Sequence, residues 1–526
     1  MDTSITPRLD QLAAAGQQAL LKGGLKGLEK ESLRITPAGR ISQAPHPEGL
    51  GSALKHPHIT TDYSEALLEL ITPPFPNPQD AVEFLDGLHR FVYQHIGDEC
   101  LWAASMPCEI DGERSIPIAC YGTSNIGRMK HAYRHGLAWR YGRAMQAIAG
   151  IHYNYSVNEA LWPVLQALSR NKQPSRDFIA GQYFGLVRNI HRHGWLVPYL
   201  FGASPAFCKS FFKGREALAS RFAEWDGSTL SMPHATSLRM SDIGYRNDSQ
   251  SGLDISFDHL DGYVASLVKA IRTPVPAYEE IGVKVDGEYR QLSANILQIS
   301  NEYYSPIRPK QIARSCESPT MALKQRGVRY IELRSLDLGL AHPLGLTPGH
   351  MRFLELFVLC CLLRESPPLN ALEKLEISRN ALDVACRGRA PGLLLRRGGK
   401  DVALRDWARE LAGDMRAVAE ILDTGEPEPA YRASLSPLLE AIDDPDTTPS
   451  ARILAEMRDT GESFQAYALR LSGRHAEGFR ARRLEGEKAA TLARQAGKSL
   501  AEQKHTEASD TLGFDEFLAR YFSQVD

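Results

Sequence analysis

An α+β fold is predicted by three features of this 526-residue sequence. Segments of two-residue period stand between helical segments without regular alternation, prolines close the strand candidates, and from about Leu346 onward the pattern is almost wholly helical. The strand candidates are GLEKESLRIT (27–36), EALLELIT (65–72), IHYNYSV (151–157) and VRYIELRSL (328–336).

The elements follow in order. Residues 8 to 22 have helical spacing and end at KGG, after which GLEKESLRIT changes to a period of two and stops at PAG. EALLELIT reads as a second strand, ended by PPFPNP because proline cannot donate to a ladder. A helix is predicted from Asp80 to about His95. The stretch EWDGSTLSMPHATSLRMSDIGY (224–245) is dominated by turn residues and reads as an irregular connection. RRGGK (396–400) reads as a basic surface turn. The charged run RARRLEGEKAATLARQAGKSLAEQKHTEAS (480–509) reads as a solvated helix face. No internal repeat or low-complexity linker divides the chain. The predicted organisation is a core over residues 1–345 with a helical region, 346–526, packed on it.

Composition narrows the function. With 43% hydrophobic and 24% charged residues and a net charge of -2, the chain has no general attraction to nucleic acid or to an anionic membrane. Small-molecule partners are expected. Eight cysteines without a C-x-x-C pair suit reduced thiols in the cytoplasm. The N-terminus has no continuous apolar stretch of the signal-peptide kind, and FLELFVLCCLL (353–363) is too short to span a bilayer. No membrane association is expected.

The chemistry lies in the strands. Residues two apart on a strand share a face, so Glu29 and Glu31 are side by side. Two such charges raise each other's pKa unless something positive lies between or above them. Within ALLELIT (66–72) Glu69 is the sole charge among apolar neighbours, His152 shares a face with Asn154 and Ser156, and Glu332 shares one with Arg334. A lone strand glutamate is ordinarily solvent-facing or half of an ion pair. Five carboxylates (Glu29, Glu31, Asp62, Glu69, Glu332) and one imidazole on strands or strand ends point instead to a hard cation. Arg334 would then grip phosphate oxygens, since a planar guanidinium can do so with two parallel bonds. Neither a Walker A loop nor a strand followed by G-x-G-x-x-G occurs. YGTSNIGR (121–128) permits close backbone approach between its glycines, although a plain loop explains it as well. On these grounds alone the expectation reaches Mg²⁺ and a phosphate or carboxylate, and no further.

GLEKES, ITTDYSEALLELITP, SMP, YGTSNIGR, MQAIAGIHYNYS, SLRMSDIGY, NEYYSPIR and YIELRSLDL, in this order from about residue 20 to 345, resemble the proteobacterial glutamate-cysteine ligases, or γ-glutamylcysteine synthetases. The resemblance implies a glutamine-synthetase-like fold, a curved and largely antiparallel sheet with surrounding helices and a helical C-terminal region. It implies ligation of L-cysteine to the γ-carboxylate of L-glutamate through a γ-glutamyl phosphate, driven by ATP as the first step of glutathione biosynthesis. Mg²⁺ is the implied cofactor, with Mn²⁺ as its alternative, and glutathione the implied feedback inhibitor. By similarity Glu29, Glu31, Asp62, Glu69, His152 and Glu332 fall on metal-binding positions and Arg334 on the phosphate-contacting one. Glu332 and Arg334 are thereby the catalytic candidates. Tyr63, Tyr133, Gln146, Arg239, Tyr245 and Tyr304 fall around the cysteine substrate; the family pattern has phenylalanine where this chain has Tyr63. Two other functions suit the same core: a different ATP-dependent carboxylate–amine ligase, and a non-catalytic nucleotide or metal sensor.

Overall fold

The computed structural model describes residues 4–244, 252–314 and 316–524. Its centre is a seven-stranded antiparallel sheet formed by β1 (Leu25–Ile35), β2 (Ile59–Thr61), β3 (Leu67–Ile71), β4 (Cys100–Leu101), β5 (Ile151–Ser156), β6 (Ile307–Lys310) and β7 (Tyr330–Leu336). The spatial order is β6-β7-β5-β1-β3-β2, with β4 paired to the end of β1. All four strand candidates are present, at the centre of this sheet rather than at its edges.

The period of two in β1 divides its side chains between two environments. Even-numbered residues turn to the packed side: Leu28 is fully buried, and the Lys30 ammonium lies 2.8 Å from Nε2 of His89 on helix α2 (Pro78–Tyr93). Lys26 pairs with Glu355 at 2.7 Å, both side chains being almost wholly buried. Glu355 belongs to the apolar helix α4 (Pro348–Leu363), where Tyr431 also donates to it at 2.7 Å. The charge inside FLELFVLCCLL is thus one end of a core ion pair, and α4 is a buried helix. Odd-numbered Glu29 and Glu31 are left on the other face, where the site is built.

Three sequence expectations are corrected. The first helix, α1, covers only Thr6–Ala14; Gly16 at φ 65° turns the chain, and a short 3₁₀ turn at Gln18–Leu21 follows. Among the described residues the region after Leu346 is almost wholly helical as expected, but RRGGK is part of a strand pair rather than a plain surface turn. Leu394–Arg397 and Lys400–Ala403 form a hairpin, closed by Gly398 and Gly399 at φ 60° and 82°, the two positive φ values that a tight two-residue hairpin turn demands. The connection 224–245 contributes the strand Thr229–Ser231 to a separate three-stranded sheet.

Two further helices border the site. Helix α3 (Asn125–Tyr141) starts from the YGTSNIGR loop, where the Ser124 hydroxyl caps it by accepting from the Gly127 amide. Helix α5 (Gly486–Ser509) braces that loop and the one before β2. Glu507 accepts from the Thr123 amide and Ser499 from the Ser52 amide, each at 2.9 Å. Among the described residues no helix is long and apolar enough to cross a membrane.

Candidate active site

Antiparallel register determines which acids meet. Glu29 on β1 stands opposite His152 on β5, Glu31 opposite Glu69 on β3, and Glu332 on β7 opposite Asn154 on β5. Directly opposed like charges such as Glu31 and Glu69 destabilise a sheet. His152 is the hub of the arrangement. Its Nδ1 lies 3.1 Å from Glu29 and 3.6 Å from Glu332, and its Nε2 lies 3.5 Å from Glu31. Two triads therefore have ligand atoms close enough to share a cation: Glu29, His152 and Glu332, and Glu31, Glu69 and His152.

The electrostatics of the face are uneven. Burial pushes the Glu69 carboxyl well above the usual carboxylate range, and the charges of Glu29, Asp62 and Glu31 add to the rise. Glu31 is raised as well, by burial first; the favourable influence of His152 does not cancel it. For Glu332 burial acts in the same direction, but Lys310, Arg334 and His152 outweigh it and hold the carboxyl well below its ordinary value. Glu29 is lowered too, its burial offset by the hydrogen bond with His152. Asn154 supports Glu29 by donating to it at 2.8 Å. The cations are close: Arg334 lies 3.0 Å and Lys310 3.4 Å from the two oxygens of Glu332.

A divalent cation fits this donor set. Beyond their charge contacts with Glu31 and Lys310, the buried Nε2 of His152 and Oε2 of Glu332 have no hydrogen-bond partner among the described residues, and buried polar atoms are ordinarily satisfied. Carboxylate oxygens with one imidazole and no thiolate suit a hard ion. Asp62, at the end of β2, is near enough to raise Glu69 and Glu31, yet it belongs to neither triad.

The residues expected around the cysteine substrate divide into two groups. Gln146 donates to the Tyr304 hydroxyl at 2.8 Å, and the Tyr133 hydroxyl is kept far above its ordinary pKa by burial and by the nearby Glu302 and Tyr304. These three form one wall. Arg239 instead joins the carboxylate side. It is 2% exposed, donates to the Arg334 carbonyl at 2.9 Å, and lies 3.8 Å from Asp337. Asp337 in turn accepts from the Ala203 amide and from the hydroxyls of Ser204 and Ser237 at 2.7 to 2.8 Å. Tyr63 is buried, its hydroxyl without a hydrogen-bond partner among the described residues, and Tyr245 lies outside those residues.

Several contributors were not singled out from the sequence. Gly150 donates its amide to Glu31 at 2.7 Å and lies under the Arg239 guanidinium, which a Cβ there would overlap. Lys310 sits on β6 opposite Tyr330, and Asp337 follows β7. The alternation IRPK, with Arg308 and Lys310 on one face, is the signal that could have found Lys310. Two cavities elsewhere, of about 330 Å³ beside Arg379, Arg387 and Arg396 and about 390 Å³ between α2 and α5, contain none of the expected site residues.

A family model for glutamate-cysteine ligase matches residues 9–384. The chain is 48% identical to the glutamate–cysteine ligase of Pseudomonas putida (strain W619), covering 100% of this chain and 99% of the relative. It is 49% identical to the enzyme of the same name from Alcanivorax borkumensis, with 98% of each covered. Among solved structures, the glutamate–cysteine ligase of Francisella tularensis in complex with AMP superposes with a TM-score of 0.88 at 35% identity, covering 95% of this chain and 98% of that one. A bifunctional glutathione synthetase from Pasteurella multocida matches with a TM-score of 0.69 at 25% identity, over 90% of this chain and 54% of its own.

Proposed function

This chain belongs to the glutamate-cysteine ligase family, and from that premise we propose that its acidic sheet face joins the γ-carboxylate of L-glutamate to the amine of L-cysteine. The activity is the ATP-dependent ligation that opens glutathione biosynthesis. The observation that carries the residue-level reading is a single one: four carboxylates and an imidazole converge on one face of the sheet with Arg334 and Lys310 beside them. Such a face is costly for the empty fold and useful to a polyphosphate with its counterions.

A carboxylate is a poor electrophile, so the glutamate γ-carboxylate first takes the terminal phosphoryl group of ATP, giving γ-glutamyl phosphate and ADP. The cysteine amine then attacks the activated carbonyl, and phosphate leaves. Glu29, Glu31, Glu69, His152 and Glu332 would hold Mg²⁺ or Mn²⁺, with Asp62 at the margin. Bound there, such an ion would supply positive charge against the charge that develops on the transferring phosphoryl group. Arg334 supplies fixed positive charge to the transferring phosphoryl group, and Glu332 holds its guanidinium in place. Arg239 anchors the cysteine carboxylate, while Tyr133, Gln146 and Tyr304, with Tyr63, line the acceptor pocket and keep water from the acyl phosphate. Glutathione, a γ-glutamylcysteine with glycine attached, matches both subsites and is the expected feedback inhibitor. The reaction belongs in the cytoplasm, where cysteine is reduced.

Purified protein with ATP, Mg²⁺ and glutamate should release ADP rapidly only when an acceptor is added. Mass spectrometry over a panel of amino-acid acceptors should find γ-glutamylcysteine as the dominant product. Another preferred acceptor would identify a different carboxylate–amine ligase, and no turnover at all would leave only a sensor.

A further inference from the structure

The YGTSNIGR loop and the helix it starts account for one group that the reaction as described does not use. Lys130, Tyr133 and Arg134 are spaced i, i+3 and i+4 on α3, so they share one face of the helix. That face is tied to the acidic site. Arg134 donates to the Asp62 carbonyl, and Tyr121, from the loop itself, reaches the Thr61 and Asp62 carbonyls with its hydroxyl at 2.8 and 3.0 Å. Both cations stand over the Tyr121 ring, the Lys130 ammonium 5.1 Å and the Arg134 guanidinium 4.7 Å from its centre.

Lys130 stands out among these. Its ammonium has an aromatic face beside it, but among the described residues no carboxylate lies within ion-pair distance. Glu69 acts on it only through space. Burial, reinforced by Arg134, brings its pKa down to about 8, the direction expected of an ammonium that lacks a counter-ion. Arg334 on β7 and Lys310 on β6 lie beside Glu332, on the sheet face that also carries Glu69. An ammonium is a compact charge with three donors, suited to phosphate oxygens that shift position during transfer.

We propose that Lys130 is a phosphate-binding residue that contacts the terminal phosphoryl group of the nucleotide from the helix side, as Arg334 does from the sheet. In the step it serves, the bond between the γ-phosphorus and its bridging oxygen breaks as the bond from the glutamate γ-carboxylate oxygen forms. Lys130 keeps its protons and stabilises the oxygens carried across. Tyr121 positions it, holding the ammonium above the ring and the ring against the end of β2.

This inference rests on the ligase reading, and the test separates the two. Calorimetric titration with Mg²⁺ and either AMP-PNP or AMP compares ligands with and without the terminal phosphates. Wild-type protein should bind AMP-PNP more tightly than AMP. In Lys130→Met the AMP-PNP affinity should fall by about tenfold or more, the worth of one charge-assisted contact, with AMP affinity unchanged. Lys130→Arg should keep most of the preference, and Lys130→Gln serves if the methionine variant does not fold. Unchanged AMP-PNP affinity in the neutral variants would overturn the proposal, as would an equal loss for both nucleotides. If wild-type protein shows no preference for AMP-PNP, the ligase reading itself fails, and this inference with it.

Discussion

Glu69→Gln is expected to raise the melting temperature of the metal-free protein while lowering ligation by about 10²-fold or more. The loss follows because several kcal/mol of transition-state stabilisation depend on the ion and its ligand set. The stability gain follows from the position of Glu69, opposite Glu31 and within reach of Glu29 and Asp62. Burial and those charges raise its pKa above the ordinary value of 4.5. A carboxyl raised in the folded state binds more protons than in the unfolded chain, so its contribution to stability falls as pH rises above 4.5. The difference in melting temperature between variant and wild type should accordingly shrink as pH falls through 4.5 and vanish by about pH 3, where such carboxyls are protonated in both states. It should grow toward neutral pH. Glu29 and Glu332 have lowered values, and the same sign argument gives them the opposite dependence. Paired scans of Glu69→Gln and wild type, each without metal, isolate the one carboxyl. Added Mg²⁺ should stabilise wild type more than the variant.

Gly150→Ala should leave the fold intact and reduce kcat/KM for cysteine by about 10- to 100-fold, the worth of a charged hydrogen bond to substrate. No left-handed backbone requires glycine at this position. What requires it is the Arg239 guanidinium, which occupies the space a methyl group would need. Arg239 has little freedom to withdraw. The Arg334 carbonyl holds one end, and Asp337, fixed by three donors of its own, stands beside the other. The alanine should therefore displace the guanidinium and disturb the Gly150 amide that supports Glu31. If that is the route, Gly150→Ala in an Arg239→Ala background should cost little more than either change alone. Additive losses would mean that Gly150 acts elsewhere.

The strand faces were legible because a period of two is a local property. Once GLEKESLRIT is a strand, Glu29 and Glu31 must share a side, and Leu28 and Lys30 the other. The pairing of Glu31 with Glu69 was not legible, since register is set by contacts across the sheet. Arg239 shows the limit more sharply. Its motif named it as a substrate residue, but its attachment to the Arg334 carbonyl and Asp337, rather than to the tyrosine wall, depends on how residues 237–241 dock. The docking of α3 was equally hidden, and with it Lys130. The hairpin at 394–403 was missed for a different reason. RRGGK has the composition of a surface turn, and its two adjacent glycines equally satisfy the turn that joins two strands.

An anomalous difference map from a crystal grown with Mn²⁺ and AMP-PNP tests the central claim most directly. Strong peaks should appear among the carboxylates of Glu29, Glu31, Glu69 and Glu332 around His152, with nucleotide phosphate oxygens completing the coordination. A map with nucleotide bound but no peak on this face, its acids answered only by Arg334 and Lys310, would contradict the account.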